Sequence, residues 1–238
     1  MFNRKAYKEI ALKQLKGRWT TPVLAALITS FILGILNLPN SISYIKNIGD
    51  TLSIFTSSSG FSIQTSSYAG EGNTILTFIA LLIEGVLSMA FINLFVVYSH
   101  TTEKQSLDTY FKGFSLWLQG FLGELWMLLW VFLWSLLFVI PGIIKAISYS
   151  QMFFILAEHP DIGVVKAMNL SKKMTKGYCG DLFVMYLSFI GWGILSLLTC
   201  GILGFWLRPY MTMSFTNAYH ALKEQSFKAE ILKPEDFN

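Results

Sequence analysis

Six apolar runs alternate with short polar, mostly basic segments along the chain, at about 20–38, 74–98, 117–140, 142–159, 181–200 and 202–220. About 20 residues of helix cross a bilayer core, so each run predicts a transmembrane helix. The first two runs stand alone. The last four form two joined pairs, interrupted at Ile140-Pro141-Gly142 and at Thr199-Cys200-Gly201. Proline removes a backbone donor and glycine loosens the helix. An unbroken helix over 117–159 would also be far too long for one crossing. Both breaks are therefore read as hairpin turns. Residues 39–73 are rich in Ser, Thr and Gly and read as an extracytoplasmic loop, not a separate domain.

The polar segments repeat. Each odd-numbered run follows a charged, partly amphipathic stretch ending in Lys-Gly and then an aromatic residue, once after one intervening position. The endings are Lys16-Gly17-Arg18-Trp19, Lys112-Gly113-Phe114 and Lys176-Gly177-Tyr178. Leu107, Tyr110, Phe111 and Phe114 share one helical face, as do Val164, Ala167, Met168 and Ser171 opposite a set of lysines. His100, His159 and His220 close runs two, four and six. The second and third hairpins also align without a gap, Ser135-Leu136-Leu137 on Ser196-Leu197-Leu198, Tyr149 on Tyr210, Phe154 on Phe215 and His159 on His220. The predicted fold class is all-α and polytopic. About six transmembrane helices form three repeated helical hairpins, each preceded by a cytoplasmic amphipathic helix. The whole of 1–238 is one transmembrane domain, with 1–19 a basic interfacial helix and 221–238 a cytoplasmic tail.

Several stretches add a resemblance. Pro141-Gly142-Ile143-Ile144-Lys145-Ala146, Ser171-Lys172-Lys173-Met174 leading into Lys176-Gly177, Leu187-Ser188-Phe189-Ile190-Gly191-Trp192 and Trp206-Leu207-Arg208-Pro209-Tyr210 resemble the bacterial membrane family called domain of unknown function 975. The resemblance runs from the Lys-rich leader to about His220. It implies fold and location and assigns no activity. The chain departs from the family pattern after Lys176-Gly177, where Tyr178-Cys179 stands in place of a polar residue. The membrane helices that accompany some glycerophosphodiester phosphodiesterases look similar, but their catalytic domain has no counterpart here.

Composition strengthens the membrane reading. Only 13% of the 238 residues are charged, against about 25% in soluble domains. The formal charge of +4 could suggest nucleic acid, but the basic residues sit in the leader and in the segments between runs. That is the positive-inside pattern. It puts both termini in the cytoplasm, the chain in the cytoplasmic membrane as a multi-pass protein, and anionic inner-leaflet lipid as partner in place of nucleic acid. No small-x-small cleavage site follows Leu38, so the first run should stay attached. Cys179 and Cys200 bracket an apolar run, too far apart as a helix for a disulfide.

Ionisable residues inside the spans are the leading candidate chemistry, because each is expensive in hydrocarbon. Glu84 should lie near mid-depth, Glu124 nearer the cytoplasmic side, and Lys145 and Arg208 in the outer halves of matching hairpins. One reading is a polar cavity in which Lys145 and Arg208 contact an anionic group. The plainer one pairs Glu84 with Arg208 and lets Lys145 snorkel to headgroups. Lys16, Trp19, Lys112, Phe114, Lys176 and Tyr178 read as interfacial anchors. The three histidines could converge on a metal, yet no His-x-x-Glu-His-type motif or Cys pair supports one. They are read as helix C-terminal residues at an aqueous boundary, with no metal and no cofactor. No nucleophile triad or paired catalytic carboxylates stand out, so the chain is not expected to be an enzyme. The leading function is transport or binding of a small or lipidic anionic solute. The alternative is a non-catalytic membrane-organising or partner-binding protein, with a homo-oligomer or another membrane protein as partner.

Overall fold

The structure, a computed structural model, describes residues 2–36, 74–137, 139–199 and 201–237. The expected loop at 39–73 and the residue Cys200 lie outside the described residues. Every regular element among the described residues is helical. Helix α1 (Arg4–Leu15) starts on Asn3, whose side chain accepts the Ala6 N–H at 3.2 Å, an N-cap bond that satisfies an otherwise orphaned donor. It buries Tyr7, Ala11 and Leu15, four residues apart on one face. The chain then bends by 101° into α2 (Thr20–Leu36). There follow α3 (Thr74–His100), α4 (Leu107–Lys112), a 3-10 turn (Gly113–Leu116), α5 (Trp117–Leu137), α6 (Val139–Tyr149) and α7 (Met152–Glu158). A second 3-10 turn (Pro160–Ile162) leads to α8 (Val164–Met174), α9 (Cys179–Leu187), α10 (Ile190–Leu198) and α11 (Gly204–Lys228), and Pro234–Phe237 forms a last 3-10 turn.

Both breaks expected between paired runs are hairpin turns. In the first hairpin Gly123 of α5 faces Phe153, Met152 and Leu156, so α5 runs back along α6 and α7. α5 ends at Leu137 and α6 begins at Val139, ahead of the break read from the sequence at 140–142. Pro141 falls in the first turn of α6, where its missing N–H would have had no intrahelical acceptor. In the second hairpin Tyr186 packs on Phe215 with ring centroids 4.3 Å apart, and Phe189 on Tyr210 at 5.4 Å. Gly201 makes the turn at φ +85°, a left-handed conformation that costs glycine little.

Four segments are long and apolar enough to cross a membrane: Ile79–His100, Leu107–Trp134, Ile140–Glu158 and Cys179–Leu198. The bent pair α1 and α2 would make a fifth if it counted as one span. The sixth expected span, 202–220, falls short in composition, because α11 carries Arg208, Thr212, Ser214, Thr216, Asn217 and His220. It is a helix enclosed by protein. Seven successive residues from Met213 to Tyr219 are buried, and the Thr212, Ser214 and Thr216 hydroxyls donate to carbonyls one turn back. α11 continues to Lys228, and the Phe237 ring folds back to 5.1 Å from His159 and 5.7 Å from Phe227.

The three Lys-Gly endings serve two purposes. Gly17 and Gly177 have φ of +74° and +88° with open space around them, so each is a left-handed turn that redirects an amphipathic helix into the next apolar one. Gly113 is right-handed, and a Cβ there would stand 2.7 Å from the Ala90 Cα. Its missing side chain lets α3 approach the backbone of the next segment.

α3, α7 and α11 run parallel, and α3 and α7 end beside His220 of α11, about two turns before α11 itself ends at Lys228. Arg208 of α11 stands over Phe91 of α3, Phe154 of α7 stacks 5.7 Å from Tyr219 of α11, and the last turns of α3 and α7 meet α11 through His100, Glu158 and His220. The connectors gather at that same end. Arg18, just before α2, donates to the Thr101 and Glu103 carbonyls after α3 at 2.7 and 3.1 Å.

Candidate functional site

The charges expected inside the spans divide into one group and one outlier. α3 and α5 approach to near backbone contact through Gly85 and Gly120; a Cβ on Gly85 would meet the Glu124 Cβ at 2.5 Å, and one on Gly120 would meet the Gly85 carbonyl at 2.9 Å. Small residues permit this closeness. It brings Glu84 and Glu124 to one level and within Coulombic reach of each other, not to separate depths. Glu84 is exposed and Glu124 half-buried. Arg208 enters from α11, its guanidinium carbon 5.2 Å from the Phe91 ring centroid, with Glu84 and Tyr110 in Coulombic reach. The buried Tyr110 hydroxyl shares a 2.9 Å hydrogen bond with Thr29 of α2, which also donates to the Ala25 carbonyl. Lys145 is engaged separately, its Nζ 4.5 Å from the Trp134 ring centroid. Among the described residues no carboxylate lies within 4.0 Å of Arg208 or Lys145, so the Glu84–Arg208 pairing is an approach without an ion-pair contact.

The anchor residues share one disposition. Lys16, Lys112 and Lys176 are exposed while Trp19, Phe114 and Tyr178 are half-buried. Lys112 forms an exposed pair with Asp108 at 2.7 Å, and Phe114 packs on Tyr110 at 5.4 Å. Near the leader, Arg4, Lys5, Lys8, Val184, Leu187 and Ser188 line an open depression of about 460 Å³. Lys8 Nζ donates to Ser188 Oγ at 2.6 Å and lies 3.7 Å from the Phe189 ring centroid. Burial, and then the neighbouring Arg4, hold its ammonium below the usual lysine range.

The densest polar constellation lies where α3 and α7 end beside α11. Glu158 Oε2 accepts from the Tyr219 hydroxyl at 2.5 Å and from Lys223 Nζ at 2.7 Å. Its other oxygen, Oε1, lies 3.7 Å from His100 Nε2. The His100 and His220 rings stand 5.0 Å apart, and one ligand atom each from His100, Glu158 and His220 fall within 4.8 Å of one another. The Ser99 hydroxyl donates to the Val96 carbonyl at 2.6 Å, which leaves its oxygen to accept from His220 Nε2 at 2.8 Å. Lys223 donates to His159 Nε2 at 2.9 Å. Burial, followed by that ammonium, holds the His159 imidazole below its ordinary range, with Glu158 opposing.

Two of the three repeated histidines therefore converge, and the third turns aside to Lys223. Glu158, Tyr219, Ser99 and Lys223 were not singled out from the sequence. A signal was there for three of them, since Ser99, Glu158 and Tyr219 each immediately precede a run-closing histidine.

The family described as Protein of unknown function (DUF975) matches residues 1–148 and 136–226. No curated protein and no solved structure matches the chain.

Proposed function

The chain belongs to this family of unknown function, and from that premise we propose that it is a multi-pass protein of the cytoplasmic membrane that binds, and in binding handles or transports, a small or lipidic anionic solute. α2 and α11 cross together with the four apolar segments, giving six spans in three repeated hairpins with both termini cytoplasmic. The connectors gather at one end of the helices, and they carry the basic residues that positive-inside sorting would retain in the cytoplasm. Large apolar side chains face outward up to the hairpin tips, with Leu136 and Ile140 70% and 71% exposed and Leu197 and Leu198 80% and 77%. Patches of this size suit lipid contact and not water.

The observation that carries the binding reading is Arg208, a cation held among apolar helices against an aromatic face with no carboxylate of the described residues at ion-pair distance. An incoming phosphate or carboxylate would supply the missing counter-charge, and the guanidinium fork matches either geometrically. Tyr110 adds a hydroxyl on the same side, while Glu84 and Glu124 set a negative rim that the anion must displace or share with a proton. The protein has no catalytic role in this reading and needs no nucleic acid or cofactor. Anionic inner-leaflet lipids engage the depression lined by Arg4, Lys5 and Lys8.

Native mass spectrometry of gently extracted protein tests this. A defined anionic lipid or metabolite should ride on the unmodified chain and on Lys145→Gln, and be lost from folded Arg208→Gln. Identical adducts on all three proteins would end the binding reading in favour of a non-catalytic membrane-organising or partner-binding role, with a second copy or another membrane protein as the partner.

A further inference from the structure

We propose that His100, Glu158 and His220 form a binding site for a divalent transition metal, best suited to Zn²⁺, that ties the ends of α3 and α7 to α11. The proposal does not depend on the anion site near Arg208, which lies three helical turns further along α11 from His220.

Zinc takes imidazole nitrogen and carboxylate oxygen at about 2.0–2.2 Å, and a tetrahedral ion then spaces its ligand atoms about 3.4 Å apart. His100 Nε2 and Glu158 Oε1 are already 3.7 Å apart. The full set of three ligand atoms lies within 4.8 Å, so closure requires movements of little more than one ångström. The His100 side chain is 56% exposed and is the natural one to move.

The surroundings prepare the ligands as second-shell partners do at metal sites. Glu158 spends Oε2 on Tyr219 and Lys223 and keeps Oε1 toward the histidines. Ser99 takes the Nε2–H of His220, which leaves that ring's Nδ1 with the lone pair a metal needs. His159 is excluded by the same logic, because its Nε2 lone pair already accepts from Lys223. Three protein ligands leave one position for water or a further donor. The Lys223 ammonium neutralises part of the Glu158 charge, so the site should bind more weakly than a structural zinc site with four ligands.

The ligands come from helices far apart in sequence, which is why no local spacing motif announces them. A bound ion would join the ends of α3 and α7 to α11, which are otherwise linked by the Glu158 hydrogen bonds and, separately, the Ser99–His220 bond.

The test uses the full chain in detergent, stripped with chelator and titrated with ZnCl₂ by calorimetry at neutral pH, with CoCl₂ as a spectroscopic probe. One equivalent of Zn²⁺ should bind saturably, raise Tm, and with Co²⁺ give the intense visible bands of a four-coordinate N/O site. His100→Ala should weaken binding at least tenfold and abolish the Tm rise; being exposed, His100 is not needed for folding. His220→Ala should do the same, whereas His159→Ala should stay within threefold of the unmodified protein. Absence of a saturable equivalent, or unchanged binding in both His100→Ala and His220→Ala, overturns the proposal. Loss of binding in His159→Ala alone would overturn the assigned ligand set.

Discussion

Two polar clusters sit in this molecule under opposite rules. Where α3 and α7 end beside α11, Tyr219, Glu158, Lys223 and His159 form one hydrogen-bonded chain and Ser99 and His220 a separate pair, at 2.5–2.9 Å. Elsewhere, on α3, α5 and α11, Glu84 lies within Coulombic reach of both Glu124 and Arg208, and Arg208 rests on an aromatic face. A satisfied network fixes the positions of the helices that contribute to it. A charge kept without a partner is costly where it sits, and such costs mark functional positions. The end cluster should therefore hold the fold, and the deeper one should serve a ligand.

The largest effect expected from this contrast is at Glu158. Glu158→Ala leaves Lys223, whose side chain is 15% exposed, without its carboxylate. Removing one partner of a buried pair costs about 3 kcal/mol, and Tyr219 loses its acceptor as well. Tm of the detergent-solubilised protein should fall by several degrees, the steepest drop of any variant here. A fall under one degree would mean that the end network does not hold the three helices.

Tyr219→Phe makes a smaller cut in the same network. It removes one hydrogen bond to a charged group, worth about 1.5 kcal/mol, and keeps the stacking of that ring on Phe154. Urea or thermal unfolding should show roughly half the loss seen in Glu158→Ala. Equal losses in the two variants would mean that the hydroxyl, not the lysine pair, carries the cluster.

Arg208→Met should move the other way. An apolar side chain of similar length removes a desolvated charge that has no ion-pair contact, and such exchanges are neutral or stabilising by about 1 kcal/mol. Tm should hold or rise while the anionic adduct disappears. A clear loss of stability would show that Arg208 is structural, through Glu84, and would remove the contrast between the two clusters.

Much of this arrangement could be read from residue order, and the failures have physical causes. The hairpins were legible because Pro141 and Gly201 interrupt apolar runs, and the buried face of α8 followed the helical period. The convergence of histidines was visible as a repeat, but its content was not. Helix pairing decides that His159 turns to Lys223 while His100 meets Glu158, and pairing leaves no local trace. Glu84 and Glu124 looked like charges at different depths, since counting residues from the start of a run ignores how neighbouring helices are offset. Gly85 and Gly120 set that offset by letting backbones touch. α11 reads as a span from its apolar residues, and the burial of its polar ones between helices is a feature of packing that residue order does not show. The Lys-Gly repeat concealed a difference that only φ reveals, with Gly113 serving contact and Gly17 and Gly177 serving turns.

The smallest expected effect concerns Lys145, the cation that stands apart. Its Nζ lies 4.5 Å from the Trp134 ring centroid, a cation–π contact worth about 0.5–1 kcal/mol. A lysine that merely snorkels toward headgroups would owe nothing to that ring. Single substitutions would blur the two cases, because Trp134 also bonds to Tyr149. A double-mutant cycle on Lys145→Gln and Trp134→Leu isolates the pair. The expected coupling is about 0.5 kcal/mol in thermal unfolding, with the anionic adduct unchanged in Lys145→Gln. Zero coupling would return Lys145 to the headgroup region. Loss of the adduct would instead bring Lys145 into the anion site beside Arg208, which would require the two hairpins to close on one ligand.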